Sequence, residues 1–447
     1  MVTGKTTAVF FGIAVLLFVS CNSFLDVQPK NQFVEKRVFS DSATIHLARQ
    51  GIYNKLASND LYGGTLTMGA LDVMAHYYTL TPDHSLAEWA HHNYTDRRTQ
   101  ETIYQVWRQT YSAILNINTF IRGLKEAESV ISPASRALLL GESYGLRAYL
   151  HFDLLRLFGP LYPERPEGRS IPYNIASTPL AQSFLPARQA MKRVIEDLDT
   201  ARTYLANDPV RKGTVHPADK QRFNFHTALA TLARVHLYAG NRELAATYAQ
   251  GLLDEENDTY PWGTDRLFSD EVIFHLPVVE MPQQYERYFY LNQVPSMALV
   301  PSHETLMDVY LGNVMDLRYR LNWDYVPRSG ERSYHFLKYS PPADFVPLLR
   351  KTELYLILAE CAEDEAEASR LLQEIAFHRE GVLPTQLSRD EVLQYTYRQE
   401  FWGEGQLFYF YKRLAKAAIP SPNGTQDWPM FQSAYVLPIP AREFLTQ

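Results

Sequence analysis

This chain has few cysteines, and it lacks long runs of basic charge and glycine-rich phosphate loops. It has only 2 cysteines, Cys21 and Cys361, so a disulfide framework is excluded and stability has to come from core burial. The formal net charge is −7, from 43 basic and 50 acidic residues, and the absence of a basic run argues against a nucleic-acid partner. Neither a cofactor nor a nucleotide site is predicted.

The N-terminal segment has the pattern of a lipoprotein signal. Lys5 precedes an apolar run, Ala8 to Val19, that ends at Ser20 and Cys21. Such a run is too short to span a bilayer. We therefore predict a signal peptide over residues 1–20, lipidation of Cys21 and a tether over 21–40, because two acyl chains anchor a protein stably. The alternative is an ordinary cleaved signal with a chance cysteine.

Aromatic residues are abundant in this chain. It has 29 tyrosines, 23 phenylalanines and 6 tryptophans among 447 residues. An excess of this size is typical of a protein that stacks ring faces against flat ligands as well as filling its core.

The helical period dominates the remaining sequence. Apolar residues recur at three- and four-residue steps over 101–128, which predicts one long amphipathic helix. Ser132-Pro133 supplies an N-cap and a first-turn proline for a second helix, which Gly159-Pro160 ends.

Two further segments have the spacing of tetratricopeptide helix pairs. Residues 224–254 match closely, with Gly240-Asn241 at the turn, and residues 347–378 match loosely. We predict an all-α, mostly helical fold in a single domain over 41–447, a tetratricopeptide-like superhelix of helix pairs with long irregular loop insertions. The loop insertions are expected at 62–98, 159–183 and 256–346.

Four blocks of sequence resemble the SusD/RagB family of nutrient-binding outer-membrane lipoproteins. The first follows Cys21, and the others lie in the two long predicted helices and near the C-terminus. They are Phe24-Leu25-Asp26-Val27-Gln28-Pro29; Trp107 with Tyr111, Ile114 and Asn118; Gly141-Glu142 through Arg147-Ala148 to Phe158-Gly159-Pro160; and Arg398-Gln399-Glu400-Phe401-Trp402-Gly403-Glu404-Gly405 with Lys412-Arg413.

The resemblance implies a role without chemistry. Proteins of this family are built on four tetratricopeptide-type helix pairs and close as a lid on a TonB-dependent, SusC-like transporter. The resemblance thus implies a lipid-anchored protein facing the cell exterior that binds oligosaccharides and passes them to that partner. RagB-type members serve peptide importers, so a peptide ligand is the alternative within the family.

Ligand contact is predicted for two aromatic and polar clusters in the irregular segments. Saccharides present apolar faces and rims of hydroxyls, so a binder uses flat rings together with amide, carboxylate or guanidinium groups. Core packing is the competing role for each ring. The candidate residues are Tyr62, Asp72, Tyr77, Tyr78, Trp89, His91, Asn93 and Arg97 in the first cluster, and Tyr288, Tyr290, Trp323 and Tyr325 in the second.

A surface serine or glycoside hydrolase is the alternative from another class. Gly141-Glu142-Ser143-Tyr144-Gly145 matches the nucleophile elbow of α/β-hydrolases, but the flanking segments read as helices. Glu400 and Glu404 lie one helical turn apart and could form a carboxylate pair, although Arg398, Lys412 and Arg413 favour structural ion pairing. Neighbouring His91 and His92 point to opposite sides of an extended segment, so no metal site is predicted.

Overall fold

The computed structural model describes residues 37–179, 182–212, 215–256, 259–290, 297–328, 331–423 and 426–444. The predicted signal peptide, the lipidation site Cys21 and most of the tether lie outside these ranges. No helix within them is both long enough and apolar enough to cross a membrane.

The first half of the structure is helical. Its helices are α1 (Ser42–Leu56), α2 (Ala70–Met74), α3 (Ala87–Ala90), α4 (Arg97–Glu126), α5 (Pro133–Phe158), α6 (Ala187–Tyr204), α7 (Phe225–Tyr238) and α8 (Arg242–Glu256). Short 3₁₀ turns lie at Pro209–Arg211 and Asp219–Gln221.

The second half mixes helices with short strands. In chain order it has β1 (Val272–Pro277), α9 (Met281–Phe289), α10 (His303–Val309), α11 (Leu317–Asn322), β2 (Trp323–Arg328), β3 (Glu331–Phe336), β4 (Phe345–Arg350), α12 (Lys351–Cys361), α13 (Glu365–His378), α14 (Arg389–Glu400), α15 (Gln406–Arg413), β5 (Ala418–Pro420), β6 (Asp427–Pro429) and α16 (Gln432–Tyr435). Further 3₁₀ turns lie at Ser269–Glu271 and Ala441–Phe444.

The strands form three antiparallel pairs. β1 pairs with β4, β2 with β3, and β5 with β6. Tyr325 lies opposite Tyr334 in the β2–β3 hairpin, and Trp428 lies opposite Ile419 in the β5–β6 hairpin. These pairs are attachments to the helical scaffold, since within the described residues each sheet has only two strands.

The helix boundaries follow local capping chemistry. The Asp96 side chain accepts from the Thr99 N–H and starts α4, and Ser132 caps α5 with Pro133 in its first turn. Helix α5 ends at Phe158, and Gly159 is its C-cap, as the predicted stop at Gly159-Pro160 required. The first long helix starts at Arg97, four residues earlier than the periodicity indicated, because the cap lies before its first apolar position.

Helix pairs stack side by side along the chain. Helix α5 packs between α4 and α6, α7 packs on α8, α8 on α12, and α12 on α13. Gly240 has φ +82° in the α7–α8 turn, a left-handed conformation that glycine adopts at little cost. The prediction of a mostly helical, tetratricopeptide-like fold is confirmed. One boundary was wrong: residues 347–350 belong to β4, because they pair with β1, and α12 begins only at Lys351.

Close packing of α5 against its neighbours explains the two glycines of the Gly141–Gly145 motif. Ser143 is buried in the middle of α5, and its hydroxyl donates to the Leu139 carbonyl at 2.7 Å. A Cβ on Gly141 would lie 2.5 Å from Leu205, and one on Gly145 would lie 2.1 Å from the Phe223 ring. The glycines therefore permit close packing, and Ser143 has neither an exposed hydroxyl nor a strand-to-helix turn.

Candidate ligand-binding face

The two predicted ligand regions meet, and a third segment joins them. The Thr79 N–H donates to the Val300 carbonyl at 3.1 Å. The hydroxyls of Thr79 and Thr305 both donate to the Pro422 carbonyl, at 2.7 and 2.6 Å. Residues 76–93, the α10 region and the β5–β6 hairpin therefore surround one junction, although they are far apart in sequence.

Most of the predicted ligand residues are buried in the protein core. Their exposed fractions run from 0 to 8%, so they offer no ring face or polar group to a ligand. For these residues the prediction was wrong. They are Tyr62, Asp72, Tyr77, Tyr78, Trp89, Tyr288 and Trp323.

Interior partners account for this burial in the first cluster. The Tyr62 hydroxyl donates to Asp153 at 2.7 Å, and the Asp72 carboxylate accepts the N–H groups of Gly403 and Gly405. Trp89 meets Tyr94 edge to face, with ring centroids 6.1 Å apart. Each of these side chains therefore has a partner inside the protein.

Trp402 is the hub of the buried aromatic cluster. The Tyr77 ring stacks on it at 4.3 Å, Tyr78 meets it edge to face at 5.9 Å, and Trp323 does so at 4.7 Å. The Trp323 indole N–H also donates to the Tyr310 hydroxyl at 3.3 Å. The hub anchors the β2–β3 hairpin to the scaffold.

The remaining predicted residues reach the surface. Tyr290 is 38% and Tyr325 52% exposed, and His91 and Arg97 are exposed as well. Asn93 is half-buried, and its amide donates to Glu88 at 2.6 Å while its carbonyl accepts from Thr95. Ligand contact by these residues stays a prediction.

A groove of about 340 Å³ lies beside His91. It is lined by His91, His92, Trp428, Pro429, Phe431, Ser433 and Ala434. Phe431 is 71% exposed, and the Trp428 ring lies 5.8 Å from His91 and 5.1 Å, edge to face, from His76. One exposed and one half-buried ring, a hydroxyl and imidazole nitrogens thus border a single cleft.

Two histidines with a strained backbone conformation lie at one wall of this groove. His76 and His92 have φ of 61° and 52°, a left-handed conformation that costs a residue with a Cβ roughly 1–2 kcal/mol. The His76 Nε2 bonds to the Ala90 carbonyl at 2.9 Å, and the His92 Nε2 bonds to the Met74 carbonyl at 3.1 Å. These reciprocal bonds tie the end of α2 to the end of α3 and offset the strain.

Burial keeps both of these imidazoles neutral. It lowers the pKa of His76 to about 4, and burial together with the proximity of His76 lowers the pKa of His92 to about 3. Because each Nε2 faces a carbonyl oxygen, it has to carry the proton. Within the described residues no cluster of three or more His, Cys, Asp or Glu side chains is arranged to hold a metal ion.

The β2–β3 hairpin carries a second aromatic surface. Tyr325 meets Tyr334 edge to face at 5.9 Å. The Tyr334 hydroxyl hydrogen-bonds to the His303 Nδ1 at 2.6 Å, and the two rings are nearly parallel. Tyr325 is thereby supported from below with its outer face open.

The Glu400 and Glu404 carboxylates are buried in a network of ion pairs. Glu400 accepts from Arg318, Arg350 and Arg379 at 2.9 to 3.3 Å, and Glu404 accepts from Arg350 and Lys338. Burial would raise the pKa of Glu400, but the three guanidinium groups outweigh burial and lower it. Glu400 is 1% and Glu404 3% exposed, so neither carboxylate can reach a glycosidic bond. The alternative hypothesis that this pair is a glycosidase site was wrong.

Sequence reasoning missed Trp428 and Phe431. Both lie in the segment after the last long helix, between Pro420 and Ala434, where prolines and polar residues break the helical period. A tryptophan followed by proline in such a segment could have indicated a partly exposed ring, since a short hairpin leaves large rings partly exposed.

Sequence comparison agrees with this architecture. Residues 23–237 match the sequence model of a SusD-like family described as starch-binding and associating with the outer membrane. SusD-like protein P38 of Formosa agariphila is 26% identical over 259 residues, covering 56% of this chain and 46% of that protein. SusD-like protein P2 of the same organism is 23% identical over 270 residues, covering 56% and 47%. The chain spans about half the length of the curated relatives it matches.

Solved structures share the fold at low sequence identity. A SusD-like carbohydrate binding protein from Bacteroides vulgatus superposes with a TM-score of 0.71 at 19% identity, covering 91% of this chain and 96% of that one. A SusD superfamily protein from Bacteroides thetaiotaomicron gives 0.72 at 21% identity, covering 90% and 97%.

Proposed function

We propose that this chain, which belongs to the SusD-like family, captures glycans at the outer membrane on the face formed by the His91–Trp428–Phe431 groove and the Tyr325 surface. It binds its ligand without converting it. The observation that supports this role is the pair of aromatic rings at the groove, of which Phe431 is 71% exposed and Trp428 half-buried.

Stacking supplies the binding energy and polar groups supply the orientation. The C–H face of a sugar ring packs on Trp428 or Phe431, and Ser433 and the His91 imidazole can exchange hydrogen bonds with its hydroxyls. The reciprocal histidine bonds set the groove wall before ligand arrives, so little conformational entropy is lost on binding.

The preferred ligand is an uncharged saccharide. Within the described residues the groove lining includes no Lys, Arg, Asp or Glu, and its half-buried histidine, His92, is neutral. Asp427, next to Trp428, is exposed and would repel a uronate or sulfate group.

Lipidation of Cys21 would hold the protein on the outer membrane with the ligand face turned to the cell exterior. A TonB-dependent, SusC-like transporter would receive the captured glycan. These parts of the proposal rest on the family resemblance and on the signal pattern.

Affinity electrophoresis of the purified protein through gels containing neutral or anionic polysaccharides tests the proposal. We expect retardation in at least one neutral gel, reduced in Trp428→Ala and in Phe431→Ala. Loss of one stacked ring, worth about 0.5–1.5 kcal/mol, weakens binding roughly 2- to 10-fold. Phe377→Ala is the matched control, because Phe377 is 77% exposed and lies outside the face, at the end of α13.

Each contrary result has a distinct meaning. Equal mobility in all gels, with heat released on mixing with peptides, would replace glycans by peptides as the ligand. Shortened polysaccharide after incubation would establish a hydrolase. Retardation that all three variants retain would move the site away from the groove.

A further inference from the structure

A small cavity of about 30 Å³ lies where five helices of the scaffold meet. The helices that line it are α5, α7, α12, α14 and α15. A water molecule fits a cavity of this size, since about 10–15 Å³ of free volume is enough for one. The cavity shares no residue with the groove beside His91, so the glycan proposal does not use it.

The Tyr409 hydroxyl is an unsatisfied polar group beside this cavity. Tyr409 lines the cavity and is 3% exposed, and its hydroxyl has no hydrogen-bond partner among the described residues. Burial, and after it the nearby Asp153 carboxylate, raise the pKa of this hydroxyl well above its ordinary value. Because a buried hydroxyl without a partner destabilises a fold, such groups in native proteins are usually paired with the protein or with water.

Other polar groups of the lining can complete the hydrogen bonds of a water molecule. The two Glu353 carboxylate oxygens each accept one N–H from Arg234, at 2.6 Å, and each oxygen keeps a further lone pair. The Gln406 side-chain carbonyl accepts from the Arg156 guanidinium at 3.1 Å. With the Tyr409 hydroxyl, these groups supply the two to four polar partners that a buried water needs.

The charges around the cavity are already balanced. Each of the three guanidinium groups in the lining forms an ion pair with a carboxylate. The pairs are Arg156–Asp153, Arg234–Glu353 and Arg413–Glu360. An anion would therefore meet no uncompensated positive charge here, and a small neutral molecule that both donates and accepts hydrogen bonds is the better occupant.

We propose that this cavity binds an internal water molecule, which accepts a hydrogen bond from the Tyr409 hydroxyl and donates one to the Glu353 carboxylate. The water thereby joins α15 to α12 and satisfies the hydroxyl at the helix junction. The proposal goes beyond glycan capture and does not depend on it.

Urea denaturation of Tyr409→Phe tests the proposal through the sign of the change in stability. If water pairs with the hydroxyl, the substitution removes a hydrogen bond, and the equilibrium constant of unfolding should rise about 2- to 10-fold. If the hydroxyl has no partner, the substitution removes a destabilising group, and that constant should fall. We expect the rise.

Tyr411→Phe is the matched control for this measurement. The Tyr411 hydroxyl lies on the same helix and is likewise buried with no partner among the described residues, but Tyr411 does not line the cavity. Its substitution should leave the equilibrium constant of unfolding unchanged or lower it. A rise confined to Tyr409→Phe therefore assigns the effect to the cavity.

A crystal structure of the purified protein locates the water directly. We expect density for a water within hydrogen-bond distance of the Tyr409 hydroxyl. Crystals soaked in sodium bromide distinguish water from a small anion, because bromide scatters anomalously and water does not.

Three results would overturn the proposal: no density beside the Tyr409 hydroxyl, an anomalous bromide peak in the cavity, or an equilibrium constant of unfolding that does not rise more in Tyr409→Phe than in Tyr411→Phe. None of these results bears on glycan binding, which is measured in polysaccharide gels. The two proposals can therefore fail independently.

Discussion

Replacing Trp323 by alanine should destabilise the fold, whereas replacing Trp428 should affect ligand binding. Trp323 is 6% exposed and contacts Trp402 and Phe336, each with ring centroids 4.7 Å apart. Trp428 is only half-buried, in a two-stranded hairpin at the groove. Substitution by alanine is therefore expected to shift the folding equilibrium at Trp323 and the binding equilibrium at Trp428.

The magnitude for Trp323→Ala follows from the cavity that it leaves. Truncating a buried tryptophan costs about 3–5 kcal/mol. The Tyr310 hydroxyl also loses the indole N–H at 3.3 Å. At an unfolding entropy of about 2.1 cal/mol/K per residue, a chain of 447 residues that unfolds as one unit loses roughly 1 °C of Tm per kcal/mol, so a fall of about 3–5 °C is expected.

Two assays on each variant decide the outcome. Urea denaturation gives the free energy of unfolding, and affinity electrophoresis in a neutral polysaccharide gives the binding. We expect Trp323→Ala to lose stability and, where still folded, to retain binding, and Trp428→Ala to show the converse. Full stability with abolished binding in Trp323→Ala would refute the assignment of Trp323 to the core.

Three further outcomes are expected. Glu400→Gln should cost about 3–5 kcal/mol, because the buried network of Arg318, Arg350 and Arg379 then has one negative charge too few; urea denaturation measures this, and unchanged stability would contradict the network role. Gly145→Ala should cost about 1–3 kcal/mol through overpacking against Phe223, as seen in the Tm, whereas a stabilised variant would show that α5 can shift. Acid should destabilise the fold, because burial lowers the pKa of His151 to about 3, below the ordinary 6.5 or so. At a pH between these two values the unfolded chain binds a proton that the folded chain does not bind. As the pH is lowered from about 6.5 to the folded pKa, the free energy of unfolding therefore falls by about 1.4 kcal/mol per pH unit for this histidine. Urea midpoints at pH 7 and pH 5 test this, with His151→Gln expected to reduce the difference, and equal midpoints in the unsubstituted protein would contradict it.

Local sequence chemistry was sufficient for the helices. Ser132, Pro133 and Gly159 mark the ends of α5 by capping and by the loss of backbone donors, which act within a few residues. The α7–α8 turn is equally local, since Gly240 takes a left-handed φ. The strand β4 was missed because its partner β1 lies about 70 residues earlier in the chain.

The candidate site was predictable as a region, but of its proposed members only His91 and Tyr325 were among the predicted residues. Tyr77 and Tyr78 have the residue type of a stacking platform, yet they pack around Trp402, which lies more than 300 residues away. His91 is exposed while its neighbour His92 is half-buried, because the left-handed backbone at His92 reverses the direction of the chain there.

The sequence by itself determined the helical scaffold, the absence of a disulfide framework and the aromatic supply for a ligand face. Only the tertiary structure decided which rings are interior and that Trp428 and Phe431 border the groove. The physical reason is range: capping and helical periodicity act over a few residues, whereas burial of a ring depends on segments that meet only when the whole chain has packed.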